Sequence, residues 1–320
     1  MKRLWVLVLA ALLVTPAMAQ AKPKIGFLPG TVDPFYQVME KGVRDAAKDL
    51  GLDVVVQIPA TWGPTAQTPI LDAMIARGDL DYLIIAPVDK EQMIAPLEAA
   101  RDAGIKVITV DTFLGNGDYV NGPVTFPLSY IGSDNVEGGR IAGNALADTL
   151  GGKGKVYIQN TIAGTSTTEQ RSEGFKEAIK AHSGMELVSE DYNNDDASLS
   201  TQQTAAVLQR EPDLAGIFGV NVFSAQGAGQ AVLNAGLGGE VQVIAFDATQ
   251  FAIEQLRAGT VSLVIAQKPY DMGYMAMEFA LADARGVTSL PRRVATGYAV
   301  ITRDNVDNPD ISRFIYRTAD

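Results

Sequence analysis

Short apolar runs recur along the chain, most of them ending on an isolated polar residue. Between them lie stretches in which apolar positions return every three or four residues. The runs fall at 24–28, 53–57, 82–86 and 106–110, then at 155–159, 185–188, 216–220, 242–246 and 262–266. Buried parallel strands read as near-continuous apolar runs of this kind. The stripe Val38/Met39, Gly42/Val43, Ala46/Ala47 and Leu50 holds the period of an amphipathic helix. Asp33-Pro34 reads as its cap and first-turn proline, and Gly51 as its stop. Thr68-Pro69 repeats that start signal, and Asp89 with Gln92 resembles a capping box before a helix ending near Gly104. Strand–helix alternation predicts an α/β fold of parallel sheets with right-handed crossovers. The turn-rich segment 115–129 separates two series of similar make-up, which predicts two domains.

Five runs end on a lone polar side chain: Asp111, Asn160, Asn221, Asp247 and Gln267. In open α/β sheets ligands bind at the carboxyl ends of the strands, so these residues are candidate binding groups. Arg171 joins them. It continues the apolar stripe of Phe175 and Ala178/Ile179 upstream by one turn, near the positive end of its helix, where a cation is disfavoured. A buried guanidinium needs acceptors. Two readings stand: an interdomain ion pair with Asp111 or Asp247, or a donor fork for a hydroxylated ligand. Phe35, Tyr36, Trp62, Phe113, Tyr192 and Phe223 fall at helix starts and loop tips, poorly placed to fill a sheet–helix core. Carboxylates, amides and an arginine interleaved with rings suit a sugar, whose hydroxyls pair with polar groups while its C–H faces stack on rings.

Composition narrows the alternatives. The 320 residues carry a formal charge of −11, which argues against nucleic acid or anionic lipid as a partner. Lys2 and Arg3, the apolar run 4–14 and Ala17-Met18-Ala19 read as a secretory signal cleaved after Ala19. That run is shorter than the ~20 residues a bilayer span requires. Without cysteine, an exported chain is held by its cores alone. The single histidine, His182, falls near a helix C-terminus, and no G-x-S-x-G elbow or dinucleotide fingerprint is present, so no catalytic residue and no cofactor is expected. Asp191, Asp195 and Asp196, and also Asp304, Asp307 and Asp310, lack the spacing of a calcium loop and read as solvated turns, so no metal is expected.

Seven segments occur in an order that resembles the ribose-binding-protein group, the periplasmic sugar-binding components of ABC importers: DPFYQVMEKG, the ITVD strand, SDNVEGGRIAG, AGTSTTEQRSEGF, the GIFGVN strand, VIAFD and VIAQKPYDMG. The resemblance spans nearly the whole chain after the signal. It implies two doubly wound, Rossmann-like domains joined by a three-crossing hinge, with a ligand cleft between them. The crossings would fall near Ser133, Gln267 and Ala295. One lobe would then comprise 24–133 with 268–295, the other 134–267 with 296–320. The ligand set it implies is Asp33, Phe35, Tyr36, Asp111, Arg171, Tyr192, Asn221, Asp247 and Gln267, with Phe35, Tyr36 and Tyr192 sandwiching the sugar. Asn160 has no counterpart and is expected to be structural. The implied partners are a small neutral sugar or polyol and a membrane permease. A chemoreceptor or sensor kinase is the alternative recipient, and the protein is expected to be a monomer. An effector domain of a transcription factor shares the architecture, but no DNA-binding headpiece is present. Three departures bear on the ligand: Asp33 stands where ribose binders have asparagine, Pro29 where they have serine, and Thr112 where they have arginine. The 113–129 loop is also longer and is expected to reshape one rim. A pentose, a hexose and a linear polyol all remain compatible.

Overall fold

The computed structural model describes residues 22–317. The expected signal segment lies outside them. The chain begins with β1 (Lys24–Leu28), α1 (Pro34–Leu50), β2 (Asp53–Val56), α2 (Pro64–Ala76), β3 (Tyr82–Ile85), α3 (Ile94–Asp102), β4 (Lys106–Val110) and β5 (Ser129–Gly132). There follow α4 (Asn135–Leu150), β6 (Lys153–Asn160), α5 (Ser166–Lys180), β7 (Gly184–Tyr192), α6 (Ala197–Arg210), β8 (Leu214–Gly219) and α7 (Val222–Asn234). The remainder is β9 (Gln242–Phe246), α8 (Gln250–Ala258), β10 (Val261–Ala266), α9 (Pro269–Ala284), β11 (Arg293–Ala295), β12 (Ala299–Ile301) and α10 (Pro309–Ser312).

All nine apolar runs are strands. They form two six-stranded sheets, in the orders β11-β5-β4-β3-β1-β2 and β12-β10-β9-β8-β6-β7. The first is wholly parallel, and the second is parallel except for the β10–β12 pair. Strand order reverses between β1 and β3 in one sheet and between β6 and β8 in the other. Those are the positions at which α/β sheets open a crevice. The chain passes between the sheets after β5, after β10 and again between β11 and β12. One apolar cluster runs continuously through both sheets by way of α1, α9 and the segment around Tyr316, while a separate cluster fills the other face of each sheet.

Several local expectations require correction. The turn-rich segment 115–129 is not a divider between domains. It leads into β5, which pairs with β4 inside the first sheet, so the first crossing comes later. It is also packed rather than open: Tyr119 is buried and its hydroxyl meets Thr109 Oγ1 and the Leu114 N–H. The strands β5, β11 and β12, three or four residues long, fall outside the apolar runs; β2 and β3 are no longer than β5 but carry VVV and LII. Thr68-Pro69 lies within α2, whose start is Pro64, one turn and a half earlier. Asp89 does accept from the Gln92 N–H at 2.7 Å, and the Gln92 amide donates back, but this closes a turn just ahead of α3. By contrast, Asp33 Oδ1 caps α1 by accepting from Tyr36 N–H at 2.7 Å, and Gly51 ends it in the left-handed region at φ 65°.

Candidate ligand-binding site

The loops at the carboxyl ends of both sheets face one another across a narrow polar space whose wall is mostly buried. The first sheet contributes Asp33 and the rings of Phe35 and Tyr36 from the start of α1, Trp62 from the loop after β2, and Asp111 from the end of β4. The second contributes Arg171 from α5, Asp195, Asn221 and Asp247 from loops after β7, β8 and β9, and Gln267 after β10. Thr161, Thr165, Thr167 and Thr168 complete the wall around the start of α5. Eight of the nine residues expected from the sequence therefore line one space.

Tyr192 is the ninth, and the structure does not bring it there. It is 42% exposed and lines an outer groove with Glu169 and Lys176. Asp195, three residues on, reaches the cavity instead, which corrects the reading of this acidic segment as a solvated turn. Of the other loop rings, Phe113 is core, edge-on to Tyr130 at 5.3 Å, and Phe223 packs against the core. Trp62 stacks on Tyr36 at 6.3 Å. Asn160 is buried away from the cavity wall and donates to Glu190 at 2.6 Å. Thr112 is fully buried and its hydroxyl has no partner among the described residues; it forms no part of the wall, so it is not where this wall departs. Pro29 presents its carbonyl to the buried Gln67 amide at 3.1 Å.

Arg171 forms no ion pair with any carboxylate among the described residues, so the interdomain-pair reading falls. Its Nε donates to Asn135 at 2.8 Å and its Nη1 to the Val220 carbonyl at 3.0 Å, while the guanidinium lies 4.0 Å over the Phe246 ring. These contacts aim the rest of the fork at the cavity. Close helix packing makes the position available: a Cβ on Gly139 of α4 would lie 2.0 Å from the Arg171 carbonyl.

Three buried carboxylates, Asp33, Asp111 and Asp247, and the half-buried Asp195 share the space with this one guanidinium. Tyr36 donates its hydroxyl to Asp111 at 2.7 Å. Asp247 accepts from Gln267 and from Tyr316, both at 2.9 Å, and Gln267 in turn accepts from Ser133 at 2.8 Å. Burial drives the Asp111 carboxyl up to about 6, with Arg171 and the Tyr36 bond pulling the other way. Burial likewise raises Asp195 to about 6, opposed by a bond from Asn221, and raises Asp247 and Asp33. Asp111, Asp195 and Asp247 all hold left-handed backbone, at φ 59°, 60° and 75°. Such strain in non-glycine residues concentrates at ligand sites, where it presets side-chain direction. Across the mouth, Lys90 pairs with Glu169 at 2.5 Å, and the Phe113 N–H donates to Ser166 at 3.2 Å.

Two α/β sheets facing across a narrow polar cavity, joined by three chain crossings, define a two-lobed receptor for a small solute. The chain belongs to the periplasmic binding protein domain family, whose model matches residues 25–287. The ribose import binding protein of Salmonella typhimurium is 33% identical over 284 residues, which is 88% of this chain and 92% of that protein. Among solved structures, an ABC transporter solute binding protein from Agrobacterium vitis, bound with α-D-tagatopyranose, is 44% identical with a TM-score of 0.90, covering 92% of this chain and 100% of that one. Another from the same organism, with bound D-fucose, is 27% identical with a TM-score of 0.86, over 92% of this chain and 100% of its own. This is a family of binding proteins rather than of enzymes.

Proposed function

We propose that the protein captures one small neutral carbohydrate between its lobes and delivers it to the permease of an ABC importer. The observation that carries this reading is the narrow cavity, in which carboxylates, amides and one guanidinium alternate with aromatic rings. A neutral polyol satisfies such a wall because each hydroxyl both donates and accepts, and ring faces take up its C–H surface. The lobes comprise 24–133 with 268–295 and 134–267 with 296–320, and the three crossings act as the hinge. Ligand contacts from both lobes stabilise the closed arrangement, so affinity and closure are linked. The nine residues Asp33, Phe35, Tyr36, Asp111, Arg171, Asp195, Asn221, Asp247 and Gln267 make the polar and ring contacts, with Trp62 extending the ring surface. The protein is exported, with its signal cleaved after Ala19, and meets its ligand in the periplasm. The similarity to the tagatose-bound protein makes a ketohexose the first ligand to try.

The experiment is a thermal-shift and calorimetric panel of D-tagatose, D-allose, D-ribose, D-arabinose and D-fucose, with mass spectrometry of anything that co-purifies. Saturable binding of at least one sugar, with one site per chain, is expected. No binding across the panel, with a non-carbohydrate found in the purified protein, would overturn the reading.

A further inference from the structure

The four cavity carboxylates are not equivalently furnished. Asp111 has a tyrosine hydroxyl, and Asp247 has a glutamine amide and a second tyrosine hydroxyl. Both also lie within the field of Arg171. Asp195 has one partner, the Asn221 amide at 2.7 Å on Oδ1, and Arg171 is not among the charges that act on it. Asp33 uses Oδ1 to cap α1, and its Oδ2 has no partner among the described residues. Asp33 comes from the first sheet and Asp195 from the second, and Asp195 is the largest like-charge influence on Asp33. Two carboxylates, each with an oxygen free of protein donors among the described residues, thus line the same space from opposite lobes.

We infer that Asp195 is a specificity-determining residue: with Asp33 from the opposite lobe, it accepts hydrogen bonds from hydroxyls on the part of the ligand that Arg171 does not reach. Two further observations support this. Asn194 and Asp195 are consecutive left-handed residues, at φ 54° and 60°, a costly turn that serves to bring this carboxylate into the cavity. The Thr165 hydroxyl, nearly fully buried on the same wall, also has no partner among the described residues, so the wall awaits polar contacts it does not make itself. Like charges brought together are disfavoured unless donors come between them, and ligand hydroxyls are the donors at hand. The pair therefore selects sugars with hydroxyls directed at both lobes there, and discriminates against epimers and deoxy sugars that leave one carboxylate bare. A buried acceptor left without its donor is what makes such discrimination strong.

The inference rests on the carbohydrate reading above, and the test separates the two. Affinities of the wild type and Asp195→Asn are measured by calorimetry for D-tagatose, D-allose, D-ribose, D-arabinose and D-fucose. Asparagine keeps the size, tolerates left-handed backbone and removes a charge that burial disfavours, so the ligand-free variant should melt at or above the wild type. The expected result is about a 10- to 100-fold loss for the tightest sugar, the range for a hydrogen bond to a charged group, with the spread between tightest and weakest narrowed. Affinities within twofold of wild type, or a uniform loss that preserves the spread, would overturn the inference while leaving the carbohydrate reading intact. No binding by the wild type would overturn both. Asp33→Asn, in which asparagine still caps α1, gives an independent measure: it should narrow the same spread, and the double variant should lose less than the two single losses combined. Full additivity would overturn the pairing of Asp33 with Asp195.

Discussion

Arg171 is held on three sides before any ligand arrives: by Asn135, by the Val220 carbonyl and by the Phe246 ring. Its rotamer entropy is therefore spent in folding, and what remains of the fork can be offered to ligand at little further cost. Arg171→Ala should weaken binding of the tightest sugar by about 2–5 kcal/mol, because buried acceptors lose a charged partner. Arg171→Lys should recover only part, since an ammonium cannot keep the side contacts and the fork together. Calorimetry on both variants decides it, and an unchanged affinity in Arg171→Ala would remove this residue from the site. The position of Arg171 was readable because a charge on an apolar stripe is conspicuous. Asp195 was not, because an acid in a run of Asn and Asp looks like any solvated turn. Only the two left-handed residues of the turn direct it inward.

The helices that carry these residues approach closely through glycine. A Cβ on Gly174 of α5 would lie 1.9 Å from the Val136 carbonyl of α4, and one on Gly42 of α1 would lie 2.2 Å from the Tyr270 carbonyl of α9. Gly174→Ala must therefore push α4 and α5 apart, which should cost about 1–3 kcal/mol in urea unfolding and displace Arg171 with it. Gly229 in α7 offers a contrast, since a Cβ there would have no neighbour closer than 3.9 Å. Gly229→Ala should stabilise the protein by about 0.4–1 kcal/mol through the unfolded chain. Destabilisation at position 229, or none at 174, would contradict this account of the helix contacts. Element boundaries followed the apolar runs and the caps of α1, even at the four-residue β2 and β3. They failed at β5, β11 and β12, where three or four residues pair only because a sheet edge is already present.

Closing the lobes takes carboxylates out of water, and this makes closure sensitive to pH. In the narrow cavity Asp111 and Asp195 are raised from 3.8 to about 6, chiefly by burial. In an open cleft, wet on all sides, they would titrate near the ordinary value. The closed form then binds protons more tightly, so ligand-free closure is most favoured below about pH 4 and loses ground until about pH 6. Small-angle scattering of the ligand-free protein should show the radius of gyration rising as pH goes from about 4 to 7. Saturating sugar, whose hydroxyls stabilise the ionised carboxylates, should suppress the change. A ligand-free profile that is flat, or that closes as pH rises, would count against burial as the dominant influence. The bridge from Lys90 to Glu169 is partly exposed and contributes little to this balance.

The sequence by itself determined the α/β class, nine of the twelve strands, the caps of α1 and most of the polar set, because apolar period and strand-end chemistry are local properties. It also carried, through ordered motifs, the family to which the chain belongs. Which of those polar groups converge was decided only by the tertiary structure. Two sheets had to be brought face to face before Asp33 and Asp195 could line the same space, and Tyr192 and Asp195, three residues apart, were separated to the outer groove and the cavity by a turn. The free carboxylate oxygens of this wall, and hence its selectivity, depend on which protein donors arrive from elsewhere in the chain. That accounting exists only once the two lobes are packed together.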